Sequence, residues 1–134
     1  MKMLGAFLIA AMAGAMIVGS VAAKDLKDQV KVETQSVGLH PGMDPGMYVC
    51  AGGHLHIKGT VHNLAGVPLR QVKVTGRAFD AAGKLLGTAT TTTKTGTLPP
   101  GQKTEIDLEF LTVTGAAIDK VKRHDLAVAE APSL

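Results

Sequence analysis

Residues 54–62 alternate between apolar and polar side chains more regularly than any other stretch of the chain. The odd positions, from Leu55 to Val61, are apolar or glycine, whereas the even positions carry His54, His56, Lys58, Thr60 and His62. Successive side chains of a β-strand point to opposite faces of the sheet. The stretch therefore predicts a strand with one buried face and one polar outer face.

Shorter runs of the same kind follow one another along the chain, separated by turn-forming Gly, Pro, Asn and Asp. The runs rich in β-branched and apolar residues cover residues 30–37, 71–79, 84–95, 104–113 and 125–129. Residues 116–122 fit either a strand or a helical turn. The spacing predicts an all-β fold. We expect an antiparallel β-sandwich of about seven strands over residues 30–130, with a linker at 24–29 and a tail at 131–134.

Two residues of the run at 71–79 bear on packing. Gly76 interrupts the run and indicates either a bulge or a close approach of another backbone. Phe79 falls on the polar face, and a bulge near Gly76 would turn its ring into the interior.

Two polar strand faces have opposite charge, one basic and one acidic. We expect them to lie on neighbouring strands and to form cross-strand ion pairs, and the acidic face to be solvated. The two faces consist of Lys73, Thr75 and Arg77 and of Glu105, Asp107 and Glu109.

The N-terminal segment has the order of a secretory signal peptide. Lys2 precedes an apolar run at residues 4–18, and small residues at 20–23 suit a signal peptidase. As a helix, residues 5–23 would span about 28 Å, so an uncleaved membrane anchor is the alternative. The small residues favour cleavage. We therefore predict an extracytoplasmic protein, periplasmic or secreted, with the membrane as a partner only if residues 1–23 are retained as an outward-facing anchor.

Composition and charge exclude several classes of function. The chain has three Phe, one Tyr and no Trp, which leaves few aromatic surfaces for stacking nucleic-acid bases. Removal of residues 1–23 takes away only Lys2, so the net charge falls from +3 to +2, too little to predict a nucleic-acid partner. The sequence also lacks a phosphate-binding glycine loop, a dinucleotide fingerprint and a Ser-His-Asp motif, and we predict no enzymatic activity.

Four short motifs, taken in order, resemble those of FxLYD-type domains. They read IKGTVHN at residues 57–63, PLRQVKV at 68–74, FDAAGKLL at 79–86 and LPPGQ at 98–102. Domains of this family are immunoglobulin-like sandwiches, commonly exported or tethered at bacterial surfaces and membranes, with no general catalytic activity. The resemblance thus implies an immunoglobulin-like binding or structural module and supplies no site residues.

Residues 40–62 concentrate the side chains that could bind a metal. His54 and His56 lie on one strand face, about 7 Å apart along the strand, and such a pair can supply two ligands to copper or zinc. Nearby sulfur ligands would favour Cu(I) or zinc. The candidate ligands are His40, Met43, Met47, Cys50, His54 and His56.

The same residues also have a purely structural interpretation. The histidines would line a wet strand face, and the repeated Pro-Gly-Met units at 41–43 and 45–47 would be simple turns. Cys50 is the only cysteine, so it cannot form an internal disulfide. It is therefore buried, paired with another chain, or a metal ligand.

Two functions follow from these observations. The first is a non-enzymatic interaction or assembly module that binds another protein through strand edges or loops, for example at the Thr-rich edge strand around residues 90–93. The alternative is a periplasmic copper- or zinc-binding protein that uses the His/Met/Cys cluster of residues 40–62.

Overall fold

The computed structural model describes residues 24–134. The predicted signal peptide or anchor at residues 1–23 lies outside the described residues. Within residues 24–134, none of the helices has the length and apolar character needed to cross a membrane.

Seven strands account for about half of the described chain, as the all-β prediction requires. A 3₁₀ helix, Lys27–Gln29, precedes the first strand, and a short helix, α1 (Ala116–Lys120), precedes the last. The strands are β1 (Val30–Thr34), β2 (Met47–Val49), β3 (His54–Asn63), β4 (Lys73–Phe79), β5 (Leu85–Thr92), β6 (Lys103–Thr114) and β7 (Arg123–Glu130).

The strands form two antiparallel sheets, which confirms the predicted β-sandwich. In the first sheet, β3 is central. Strand β6 pairs along most of one edge of β3, while β1 and β2 share the other edge, β1 beside Gly59–Asn63 and β2 beside Leu55–Ile57. In the second sheet the order is β5-β4-β7.

The core lies between the two sheets and is mainly aliphatic. Gly76 of β4 allows the sheets to approach closely, because a Cβ atom there would lie 3.1 Å from side-chain carbons of Leu108, Phe110 and Leu126. The fully buried side chains include Leu55, Ile57, Val61, Leu69, Val72, Val74, Leu108, Phe110 and Val113.

Phe79 stays on the same face of β4 as Arg77, and no inward turn of its ring follows from the register of β4. The pairing of β4 with β5 shifts between Ala78 and Phe79, but the extra residue belongs to β5. Phe79 is only 8% exposed because Arg77 and Arg123 cover its ring, 5.3 and 4.1 Å from the centroid. Gly76 itself stays in the regular register of β4 with β5, and its lack of a side chain allows the close approach of the two sheets.

The predicted ion pairs between the basic and acidic faces are wrong. Strand β4 lies in the second sheet, and its cations pair with β7: Arg77 with Asp125 at 2.8 Å and Lys73 with Glu130 at 3.4 Å. The acidic strand β6 instead pairs with β3. Alternation along a strand predicts which residues lie on each of its two faces. It does not predict which strand lies next to it.

The two ends of the described chain are hydrogen-bonded to each other. The N–H of Leu26 donates to the carbonyl of Ala131, and the N–H of Ser133 donates to the carbonyl of Lys24, both at 2.8 Å. Ala131 is fully buried. The segments at 24–29 and 131–134 thus pack beside one another at the end of the sandwich that carries residues 65–70.

Candidate metal centre

The polar face of β3 is flanked by carboxylates on one side and by a tyrosine on the other. On the β6 side, His56 lies opposite Glu109 and Lys58 opposite Asp107. On the β2 side, His56 lies opposite Tyr48. Because side chains of paired strands share a face, this register collects the imidazole, the carboxylates and the phenol on the outside of the first sheet.

A tight turn adds Cys50 to this group. The turn is closed by the N–H of Gly53 donating to the carbonyl of Cys50 at 2.9 Å, and by the N–H of Cys50 donating to the carbonyl of His54 at 3.1 Å. Gly53 has a φ of 84°, which glycine adopts without strain. The turn returns the chain so that Cys50 Sγ lies 3.6 Å from His54 Nδ1.

Glu109 lies at the centre of the resulting cluster. Its Oε2 atom is 3.3 Å from His54 Nδ1, 3.4 Å from His56 Nε2 and 3.9 Å from Cys50 Sγ. The potential ligand atoms of Cys50, His56 and Glu109 all lie within 4.8 Å of one another. Three side chains from β3, β6 and the turn therefore converge on one small volume, with His54 beside Glu109 and Cys50.

The ring of His56 is held in one orientation by its neighbours. Its Nδ1 atom lies 2.7 Å from Asp107 Oδ1, and the Tyr48 hydroxyl donates to the other carboxylate oxygen, Oδ2. The Tyr48 ring also stacks on the imidazole, with the centroids 4.7 Å apart. Since Nδ1 donates to Asp107, the neutral ring must present an unprotonated Nε2 to the cluster.

The Nε2 atom of His56 has no hydrogen-bond partner among the described residues, although it is buried. Glu109 Oε2 lies within ion-pair distance of it, but the contact lacks the angles of a hydrogen bond. The His56 side chain is only 13% exposed. Buried polar atoms are rarely left unpaired, and this nitrogen is free to accept a ligand.

The cluster shifts the protonation of its members. Hydrogen bonding from the His54 backbone, with smaller effects of the His54 side chain and the nearby His56 imidazole, lowers the pKa of the Cys50 thiol from 9.0 to about 7. Burial lowers the pKa of His56, but the hydrogen bond to Asp107 and the nearby Cys50 outweigh it, and that pKa is raised. Burial and the hydrogen bond to Asp107 raise the pKa of Tyr48. The cluster thus favours the thiolate, the form of cysteine that binds metals.

The six predicted ligands fall into two groups. Cys50, His54 and His56 come together on the outer face of the first sheet. Met47 pairs with Ile57 and is buried in the core, on the opposite face of β2 from Tyr48. Together with Met43 and the exposed His40, it lines a cleft beside α1.

Sequence reasoning missed Glu109, Asp107 and Tyr48. The alternation of Glu105, Asp107 and Glu109 was visible, but it predicts a solvated face when the strand is considered alone. Their role depends on the pairing of β6 with β3, which no local pattern gives.

Comparisons of the chain with protein-family models, with curated proteins and with solved structures gave no match.

Proposed function

We propose that the protein binds a zinc ion on the outer face of its first sheet. The ligands would be the Cys50 thiolate, His56 Nε2, a Glu109 carboxylate oxygen and, in the fourth position, His54 Nδ1. The observation that carries the proposal is the buried, unpartnered Nε2 of His56 beside a thiol and a carboxylate.

The distances between the ligand atoms support a tetrahedral site. Zinc bonds of ~2.0 Å to nitrogen or oxygen and ~2.3 Å to sulfur place ligand atoms about 3.3 to 3.5 Å apart at tetrahedral angles. Four of the separations around Glu109 and Cys50 measure 3.3, 3.4, 3.6 and 3.9 Å. Cys50, His56 and Glu109 would therefore require only small movements to bind zinc, whereas His54, which lies outside the set of ligand atoms within 4.8 Å of one another, would complete the site by a further movement of its ring.

The types of ligand favour zinc over other metals. Zinc accepts a mixed set of thiolate, imidazole and carboxylate, whereas Cu(I) prefers sulfur and imidazole without a hard carboxylate. Cu(II) is the next candidate, because divalent copper binds nitrogen and sulfur sites more tightly than zinc does. The Asp107–His56 hydrogen bond also supports a metal, since metal-bound histidines commonly donate their other N–H to a carboxylate.

The proposal retains the location and the class of fold predicted from the sequence. The protein would be an extracytoplasmic, non-enzymatic β-sandwich of the immunoglobulin-like type. The separation into one sheet of β3 with β1, β2 and β6 and a second of β5, β4 and β7 supports that type. The Glu109 side chain is 44% exposed, so the metal would be accessible from solution and could exchange with a partner.

A zinc titration of the purified protein in competition with a chromogenic chelator, under reducing conditions, tests the proposal. We expect one tight site, weakened at least tenfold by Cys50→Ser, His56→Ala or Glu109→Gln. His62→Ala is the matched control, because His62 lies on the same face of β3 but opposite Lys31 and Lys103. Zinc binding that is absent, or that responds equally to the His62 and His56 variants, would refute the site.

Protein interaction through a strand edge stays a prediction beside this proposal. Among the described strands, β5 pairs with β4 alone, which supports its Thr-rich run as an edge. Self-association that is detected by sedimentation and abolished by Thr91→Pro would favour this function. A sedimentation coefficient that is the same in the parent and in Thr91→Pro would count against it.

A further inference from the structure

The repeated sequence HPGM-DPGM folds into two successive turns of the same design. The N–H of Met43 donates to the carbonyl of His40 at 3.2 Å, and the N–H of Met47 donates to the carbonyl of Asp44 at 3.1 Å. The third residue of each turn is a glycine with positive φ, 81° at Gly42 and 86° at Gly46. Repetition of the turn brings two methionines, four residues apart, to equivalent positions.

Both methionines and His40 line one cleft, at the end of the sandwich that carries α1. The cleft has a volume of about 620 Å³, and its lining also includes Ile118, Asp119 and Lys122. Met43 packs against the core, and Met47 is 4% exposed. The two methionine side chains are thus anchored in the interior, whereas His40 lies on the exposed loop at the edge of the same cleft.

The hydrogen bonding of His40 determines which of its nitrogens is free. Its Nδ1 atom lies 3.0 Å from the carbonyl oxygen of Pro41, and a carbonyl can only accept. Nδ1 therefore carries the proton, and the neutral ring has an unprotonated Nε2 available as a ligand.

We propose that this cleft binds a soft monovalent metal ion, Cu(I), through Met43, Met47 and His40. Two thioethers and an imidazole form a ligand set that suits Cu(I) and suits zinc poorly, because zinc sites in proteins use thiolate, imidazole and carboxylate. The cleft lies apart from the Cys50 cluster, since Met47 and Tyr48 project from opposite faces of β2. The chain would then hold two chemically different metal sites.

A titration with Ag(I), a redox-inert substitute for Cu(I), tests the second site, followed by Cu(I) under anaerobic conditions. The Cys50→Ser background removes the competing thiolate. In that background we expect Ag(I) binding to weaken at least tenfold on Met43→Leu or Met47→Leu, and several-fold on His40→Gln. His62→Gln is the control and should leave the affinity unchanged.

Loss of Ag(I) affinity in the Met43 and Met47 variants is the criterion for this site. The other four of the six methionines, which lie in residues 1–23, also offer thioethers to Ag(I). In a sample with ¹³C-labelled methionine methyl groups, the resonances of Met43 and Met47 should shift on addition of Ag(I). Absence of those shifts, or an Ag(I) affinity unchanged in both leucine variants, would overturn the proposal.

Two further measurements separate this site from the zinc site and from a folding defect. Leucine replaces methionine in cores with little change in volume, so the melting temperature should stay close to that of the parent. The zinc affinity of Met43→Leu should equal that of the parent, whether or not the Ag(I) site exists. His40→Gln, at an exposed position, provides a variant that does not disturb the core.

Discussion

Asp107 determines how His56 can act. By accepting from Nδ1 at 2.7 Å it fixes the tautomer, and by also accepting from the Tyr48 hydroxyl it is itself held in place. Neither Asp107 nor Tyr48 is a proposed ligand of the ion. Partners of this kind usually change metal affinity by ten- to a hundredfold, because they orient the ligand and increase its basicity.

Removal of this partner should weaken zinc binding without abolishing it. For Asp107→Ala we expect a loss of ten- to a hundredfold in zinc affinity, and for Tyr48→Phe a smaller loss, since the carboxylate remains. Competition titration measures both. Glu105→Ala is the control on the same face of β6, because Glu105 lies opposite Thr60, away from the cluster. An Asp107→Ala protein with parental affinity would show that His56 is oriented by packing alone.

For single strands, the sequence predicts which residues face the core but not which strands are neighbours. The alternation in β3 placed Leu55, Ile57 and Val61 in the core and the histidines outside, and the structure agrees. The same alternation in β6 identified its acidic face. It could not identify β3 as the neighbour, since pairing depends on the course of the whole chain.

The metal ligands were predictable to a similar extent. Cys50, His54 and His56 are close in sequence and come together through one turn. Glu109 is 53 positions beyond His56 in the chain and joins them only through the β3–β6 register. Met43 and Met47 are near the histidines in sequence, but both line the cleft beside α1, and Met47 lies on the opposite face of β2 from Tyr48.

The two glycines of the tandem turn provide a test at the level of this element. Gly42 and Gly46 have nearly the same positive φ, but their surroundings differ. A Cβ atom at Gly42 would meet nothing within 4 Å, whereas one at Gly46 would collide with the Thr34 side chain and lie 2.9 Å from the carbonyl oxygen of Gln35.

The alanine variants should therefore differ in stability. Gly42→Ala introduces only the left-handed backbone strain, about 1 to 2 kcal/mol. Gly46→Ala adds overpacking against β1, so we expect a further ~1 to 3 kcal/mol. Urea unfolding measures the free energy of unfolding of each alanine variant. Equal destabilisation of the two proteins would mean that β1 yields easily and that the turn is not tightly packed.

At the scale of the whole molecule, the proposed zinc site joins parts of the fold that are distant in sequence. Its ligands come from the turn at 50–53, from β3 and from β6, and its supporting residues come from β2 and β6. The cluster assembles only when β3 and β6 are paired. An ion bound there would consequently bind the folded chain and not the unfolded one, and would stabilise the fold through that difference in affinity.

This linkage predicts a zinc-dependent melting temperature. At a free zinc concentration of ~100 Kd, the folded state gains about 2.7 kcal/mol. For a domain of this size that gain corresponds to a rise of about 10 °C. Calorimetry with and without zinc measures the rise, which should disappear on addition of EDTA and fall to about half or less in Cys50→Ser, whose zinc affinity is at least tenfold weaker. His62→Ala should retain the full effect, because its imidazole lies between lysines and not in the cluster. A melting temperature that rises equally in Cys50→Ser would place the zinc elsewhere on the chain, and one that does not rise at all would mean that the unpartnered nitrogen of His56 binds no metal.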